Sequence, residues 1–321
     1  MKKTVNVIWQ IKPLWGYEWL CELLKEFDLN NIEDGGNSVY ADKAVIVTDG
    51  SKRNGISMYD YINKFIKNGF RVGCIHLSDE CGVSPVDYYR NVNFVFRNYY
   101  RYDVSKYPNC YFFALGYKNG FKKGLIDKDI AKRSNFITFI GDIKKKGHSR
   151  REMLKHAQSI EATKFFYVTK GWNSSNNLSI SKYAECLNDT VFALCPRGFF
   201  SVDTFRCYEV LEAGAIPVVE NFNLKKFLYS ILKGEALSRS ILKYGPGNYF
   251  ARHFFNNNLY WEKMYGKDFP CIRINDWSEL KKKISEVDIK FLAKKNSVWW
   301  KEYKAILSSS MARVIKQSFS F

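Results

Sequence analysis

Arg197, Arg206 and Glu209 lie close together between two apolar runs. The run Val191 to Cys195 reads as a buried strand. Pro196 ends it, because proline cannot donate to a ladder. Arg197-Gly198 follows at the carboxyl edge. Asp203 or Thr204 suits a helix N-cap, since a short oxygen-bearing side chain can accept from a free N–H of the first turn. The helix expected from Thr204 to Ala213 groups Cys207, Val210 and Leu211 on one face and offsets Arg206 and Glu209. Gly214 stops it, and Ile216 to Val219 returns to the sheet. A helix N-terminus carries free N–H groups and a partial positive charge. Beside two guanidinium groups it makes a receptor for a diphosphate, with Glu209 placed to accept from ribose hydroxyls. The same residues also fit an ordinary strand-helix-strand unit with surface charges and an internal salt bridge.

The elements that would position these groups alternate along the chain. Strands are expected at Val5 to Trp9, Ala44 to Thr48, Val72 to Leu77, Phe94 to Phe96 and Tyr111 to Leu115. Between them, Tyr17, Leu20, Leu24 and Phe27, and then Met58, Tyr61, Ile62, Phe65 and Ile66, recur at helical spacing, with Gly69 as a stop. Residues 117–134 are basic and glycine-punctuated and read as an interdomain linker. A second series follows: strands at Phe136 to Ile140, Lys164 to Val168, Val191 to Cys195 and Ile216 to Val219, with helices at Arg151 to Gln158, Ile180 to Leu187 and Thr204 to Ala213. Helices are expected at Trp277 to Val287 and from Ile289 to about Leu307. Such alternation argues for two α/β domains with parallel sheets, whose ligands sit beyond the carboxyl ends of the strands.

The 321 residues suffice for two domains, and an apolar fraction of 46% excludes a disordered chain. Fifty lysines and arginines against 32 acids give +18, a charge suited to nucleic acid, an anionic membrane face or phosphorylated small molecules. Eight cysteines form no CxxC pair and lie in or near apolar runs, as thiols of a reducing compartment do. Without an apolar stretch of about 18 residues or a leader-like segment, the expected location is cytoplasmic, with peripheral membrane contact left open.

The pattern Phe192-x-Leu-Cys-Pro-Arg-Gly, Asp203-Thr-x-Arg206-x-x-Glu209 and Gly214-x-Ile-Pro-Val resembles the exostosin-like glycosyltransferases. Arg133, Phe139-Ile140-Gly141, Lys144 and Arg150-Arg151 resemble that family's Arg…Phe-x-Gly…Arg element. His76-Leu-Ser-Asp79-Glu80 with Val95-Phe-Arg97-Asn98-Tyr99 is similar to the acceptor-side half of ribitol-xylosyltransferase-like and bacterial exostosin-like members. The resemblance implies the GT-B fold: two Rossmann-like α/β/α domains facing a cleft, with residues 1–130 binding acceptor and 131–300 binding the nucleotide sugar. Residues 301–321 would form a helix returning to the first domain. Asp203 stands where the commonest exostosin pattern has serine, and residues 220–270 show no match.

The resemblance implies an inverting transfer from a UDP-sugar, UDP-xylose as first guess, to a hydroxyl of a glycan or glycolipid, with no cofactor and no essential metal. Carried onto this sequence, Arg197 and Arg206 neutralise the departing diphosphate, whose charge grows in the transition state. Gly198, Asp203, Thr204, Gly141, Arg150 and Arg151 complete the donor site, and Glu209 binds ribose. Asp79 or Glu80 is the base that takes the acceptor proton, and Arg97 and Trp15 touch the acceptor. Asp127-Lys-Asp129 imitates a metal-binding Asp-x-Asp motif in an unsuitable, lysine-rich setting. Two other classes stay open: a basic nucleic-acid-binding protein, and an inactive binding module of the same fold. Oligomeric state is not legible.

Overall fold

The computed structural model describes residues 2–12, 16–33, 42–52, 55–143, 148–171, 175–198, 200–232 and 245–321. The chain divides into two compact units, Met1–Leu115 with Glu302–Phe321, and Gly116–Lys301.

The first unit carries β1 (Lys3–Trp9), α1 (Tyr17–Leu23), β2 (Phe27–Glu33), β3 (Lys43–Thr48), α2 (Met58–Lys67), β4 (Arg71–His76), β5 (Phe94–Arg97) and β6 (Cys110–Phe112). All six strands are parallel, in the order β2-β1-β3-β4-β5-β6. Central strands are almost continuously buried: Val45, Ile46 and Val47 in β3, and Cys74 and Ile75 in β4. That is the signature of a sheet covered on both faces. Ser57 starts α2 by accepting from the Asp60 N–H.

The expectation that helical spacing runs on through Phe27 is corrected. The chain leaves α1 at Leu23, and Phe-Asp-Leu-Asn-Asn-Ile-Glu pairs with β1 as an edge strand. An edge strand buries little, here Phe27 and Ile32, so its composition stays polar.

The second unit carries β7 (Asn135–Asp142), α3 (His148–Gln158), β8 (Lys164–Thr169), α4 (Ile180–Asn188), β9 (Thr190–Cys195), α5 (Phe205–Glu212) and β10 (Ile216–Glu220). It continues with α6 (Leu224–Leu232), α7 (Pro246–Asn257), α8 (Tyr260–Tyr265), β11 (Ile272–Ile274), α9 (Leu280–Ser285) and α10 (Ile289–Phe319). Its parallel sheet has the order β11-β10-β9-β7-β8. Ile137, Phe139, Phe192, Leu194, Ile216 and Val218 form its core with Met153 of α3 and Trp277.

Each unit is thus a mixed α/β body built on one parallel sheet, as the GT-B expectation requires. The last helix, α10, is longer than its periodicity suggests. Residues up to Lys301 count with the second unit and those from Glu302 with the first. In the first unit, the Ala114 N–H donates to the Tyr303 hydroxyl at 3.1 Å, Ser308 donates to the Leu23 carbonyl at 2.8 Å, and Phe319 packs on Phe94.

The linker reading of residues 117–134 is also corrected. Tyr117 and Phe121 are buried, and Phe121 meets Tyr183 of α4 edge to face. Arg133 donates to the carbonyls of Thr190, Ala213 and Lys128. The stretch is packed body of the second unit, its lysines marking only the solvent side. Asp129 caps a short 3-10 turn through the Ala131 N–H.

Candidate functional site

In the second unit the chain runs from β7 to β8 on one side, then returns to place β9 on the other side of β7. The carboxyl ends of β7 and β9 therefore flank the point where strand order reverses. In open α/β sheets that point leaves a crevice for ligands. Ile140-Gly141-Asp142 ends one strand and Cys195-Pro196-Arg197 leaves the other, with α5 starting nearby in sequence.

Several features fix this edge. Gly198 donates to the Ser201 carbonyl at 2.9 Å, turning the chain back. The Val202 N–H donates to Asn257 of α7 at 2.9 Å. Thr204 is the N-cap of α5 in extended conformation, but its side chain makes no cap bond. Gly214, at φ +66°, ends the helix in the left-handed region that suits glycine.

Arg206 donates from Nη2 to the Ile140 carbonyl at 2.7 Å and lies 5.0 Å over the Phe139 ring. The approach demands a glycine at 141: a Cβ there would meet Arg206 Nη2 at 2.5 Å. Arg150 donates to the Asp142 carbonyl at 2.6 Å and to the Arg197 carbonyl at 3.1 Å, tying the two strand ends together. Arg151, one residue on, is exposed. Arg197 is half-buried, and its guanidinium makes no hydrogen bond or ion pair among the described residues. It is the cation at this edge whose charge the fold leaves unspent.

Two predicted donor residues turn inward. Asp203 is 1% exposed and accepts from the hydroxyls of Tyr208 at 2.8 Å and Tyr260 at 2.7 Å. Its carboxyl group anchors the loop to α8, so direct contact with a nucleotide is corrected to a loop-holding role. Glu209 is also 1% exposed and accepts from Tyr183 at 2.8 Å. Its other oxygen has no partner, nor do the Thr204 hydroxyl and Arg206 Nε. A ribose contact by Glu209 therefore requires that this buried oxygen be reached. Burial, and Glu209 beside it, push the Tyr183 phenol well up.

Sequence reasoning missed Glu220. It ends β10 buried, accepting from the Ser149 hydroxyl and, at 3.5 Å, from the Arg197 N–H. Trp277 in turn donates to Ser149 at 3.0 Å. The available signal was a carboxyl group closing an apolar strand, Ile-Pro-Val-Val-Glu. His253 of α7, also missed, packs on Phe200 and Phe227 at centroid distances of 4.4 and 4.1 Å. Burial, with the nearby Arg197 charge, lowers it to about 3, so it stays neutral.

In the first unit, Asp79 and Arg97 meet as a buried ion pair at 3.0 Å, with Arg97 0% exposed. Asp79 also accepts from Arg101 at 3.4 Å and from the N–H groups of Val83 and Ser84 at 2.8 and 3.0 Å. Burial works to raise the Asp79 pKa, but Arg97 and the hydrogen bonds outweigh it and hold the carboxyl below its ordinary value. Arg97 donates further to Tyr89 and to the carbonyls of Asn98 and Tyr99. Ser78 and Tyr99, flanking the pair, hold φ at +68° and +54°, strain that such a network stabilises.

Asp79 as acceptor base and Arg97 as acceptor contact are therefore corrected: both are consumed inside the fold. Glu80 is half-buried at the same turn. His76 is fully buried, its Nδ1 2.8 Å from both Tyr88 and Tyr89 hydroxyls. Trp15 and Lys144 lie outside the described residues.

With this geometry in view, the comparison that decides the class is one of family. Residues 118–235 match the RXYLT1 C-terminal domain. The matched segment holds every donor residue predicted from the motif, Gly141 to Glu209, and agrees with the ribitol-xylosyltransferase-like, exostosin-related resemblance. The chain is a glycosyltransferase by this match. No curated protein is similar in sequence.

Solved structures with some likeness include T4 phage BGT in complex with UDP and Mn2+, at 10% identity and TM-score 0.48, covering 97% of this chain and 99% of that one. An alpha-glucosyltransferase in complex with UDP and DNA has 9% identity and TM-score 0.42, covering 81% and 97%. An alpha1,3-fucosyltransferase has 12% identity and TM-score 0.37, covering 90% and 92%. Among the described residues, no cluster of histidine, cysteine and acidic side chains could hold a metal ion. No described helix is long and apolar enough to cross a membrane.

Proposed function

We propose that this glycosyltransferase binds the diphosphate of a UDP-sugar at the carboxyl ends of β7 and β9 and passes the sugar, with inversion, to a glycan or glycolipid hydroxyl. The observation that carries the reading is Arg197, a half-buried guanidinium without a protein partner among the described residues, beside a strand-order reversal. Arg206, fixed on the Ile140 carbonyl, supplies a second cation. The free N–H groups opening α5 add a partial charge of the same sign.

In the reaction, the acceptor oxygen forms a bond to the anomeric carbon as the bond to the diphosphate breaks. Charge builds on the departing phosphate, and preorganised cations lower that barrier most. We assign this task to Arg197 and Arg206, without a metal. The acceptor proton passes to Glu80, the carboxyl group of the Asp79-Glu80 pair that retains exposure. UDP-xylose is the first donor to try, since the matched family segment is ribitol-xylosyltransferase-like. A cytoplasmic location with peripheral attachment to an anionic membrane suits the charge of +18.

Incubation with a panel of UDP- and GDP-sugars is expected to release free nucleotide from one of them. If none is hydrolysed and none shifts thermal unfolding, the proposal fails. Loss of turnover in Arg206→Ala and Glu209→Ala, with folding retained, separates an enzyme from an inactive binding module.

A further inference from the structure

The first unit has a strand-order reversal of its own, and it is not where the sequence motifs pointed. The chain passes from β1 to β2 on one side and then to β3 on the other, so the reversal lies between the carboxyl ends of β1 and β3. Asp79, Glu80 and Arg97 stand at the ends of β4 and β5, farther along the sheet.

Gln10 follows β1 directly, and its N–H is bonded to the Val47 carbonyl of β3 at 2.9 Å. Its side chain is 4% exposed, and both amide atoms lack a hydrogen-bond partner among the described residues. A primary amide offers two donors and two acceptor lone pairs. Leaving all of them buried and unmet is costly, and native proteins seldom do so without a ligand or ordered water. Asn6, two residues before the strand end on the same chain, shows the ordinary solution: it donates to the Lys43 carbonyl and accepts from Asn30.

Two independent observations therefore meet at one place. Topology sets a ligand crevice at the β1/β3 edge, and an unsatisfied buried amide stands there. From these we infer that the first unit binds a neutral, polyhydroxylated molecule at this edge, with Gln10 pairing to adjacent hydroxyl groups.

Neutrality follows from the surroundings. The buried groups at this edge, Trp9, Gln10 and Thr48, carry no charge, and the next residue after β3 is the acid Asp49. An anionic phosphate would lack the buried cation that the second unit provides. Trp9 and Tyr17 supply aromatic surface at the same end of the sheet, ring centroids 5.7 Å apart, bridged through Asn31. Such rings suit the C–H faces of a sugar. The inference rests on the proposed transferase reading and makes this molecule the acceptor.

The test uses the full chain with methyl β-xyloside, methyl β-glucoside and ribitol as probes, followed by saturation-transfer NMR. UDP is titrated separately. Wild-type protein is expected to transfer saturation to at least one probe. Gln10→Leu, close in size but unable to hydrogen bond, should weaken that probe about tenfold, the effect of one or two lost hydrogen bonds to a built site. Its UDP affinity should stay unchanged.

Two results would overturn the inference. One is UDP binding with no response from any probe. The other is a Gln10→Leu protein that binds probes as before and unfolds at higher temperature, which would mark the amide as a packing defect. Failure of UDP itself to bind would instead remove the transferase reading. Gln10→Asn, which keeps the amide on a shorter stem, should fall between wild type and Gln10→Leu.

Discussion

The β7/β9 edge of the second unit and the β4/β5 edge of the first both set an arginine after a buried parallel strand, yet they use it in opposite ways. At the first, Arg197 keeps its guanidinium clear of protein partners among the described residues, and the fold around it is held by others: Arg150 on two carbonyls, Asp203 on two tyrosines, Glu220 on the Arg197 N–H. At the second, Arg97 is fully buried and its donors go to Asp79, Tyr89 and two carbonyls. The difference follows the strand order. β7 and β9 flank the reversal in their sheet, whereas β4 and β5 are ordinary neighbours, so a charge between them is closed over and must be neutralised. A strand-end charge is a site candidate only where topology leaves a crevice.

The contrast can be broken most forcefully at Asp79. Asp79→Ala strands the Arg97 charge in the core and is expected to cost about 3–5 kcal/mol of stability, read by urea unfolding, with UDP affinity unchanged in the protein that remains folded. A loss of UDP binding without loss of stability would reverse the roles assigned to the two edges.

Arg197→Ala should do the opposite. Turnover is expected to fall about 100- to 1,000-fold, the range for removing one preorganised charge partner, with an unfolding midpoint near wild type. Gly141→Ala sharpens this. The new methyl would displace Arg206, so turnover should drop at least about tenfold, and the fall should be smaller in an Arg206→Ala background.

Acid affects both units alike. His76 and His253 are each held down to about 3 by burial, so the folded chain stays unprotonated where the unfolded chain takes up protons. Stability is fully present above pH of about 6.5 and falls as pH drops toward 3, by up to about 1.4 kcal/mol per pH unit for each group. A flat urea midpoint between pH 7 and 4 would contradict the burial. The smallest effect is expected at Arg151, which is exposed. Arg151→Ala should shift stability by less than about 0.5 kcal/mol, and a UDP affinity change above about twofold would enlarge the site.

The strand-helix-strand stretch from Val191 to Val219 is readable in the sequence because its signals are local: apolar runs for buried strands, Pro196 and Gly214 as punctuation, and cations beside the break. Other features depend on distant partners and leave no local trace. Asp79 and Arg97 are 18 residues apart, and their pairing emerges only when β4 and β5 lie side by side. Asp203 reads as an exposed cap until Tyr260, far along the chain, claims it. The edge strand Phe27–Glu33 buries too few side chains to show a period, and lysines hide the burial of Tyr117 and Phe121. Gln10 carried no signal at all, since an unmet amide is a property of packing.

The most direct test is a crystal structure of the chain with UDP. The account predicts the diphosphate between the carboxyl ends of β7 and β9, within hydrogen-bond reach of the Arg197 guanidinium and the opening N–H groups of α5. A nucleotide seated in the first unit, or bound without contact to Arg197, would contradict it.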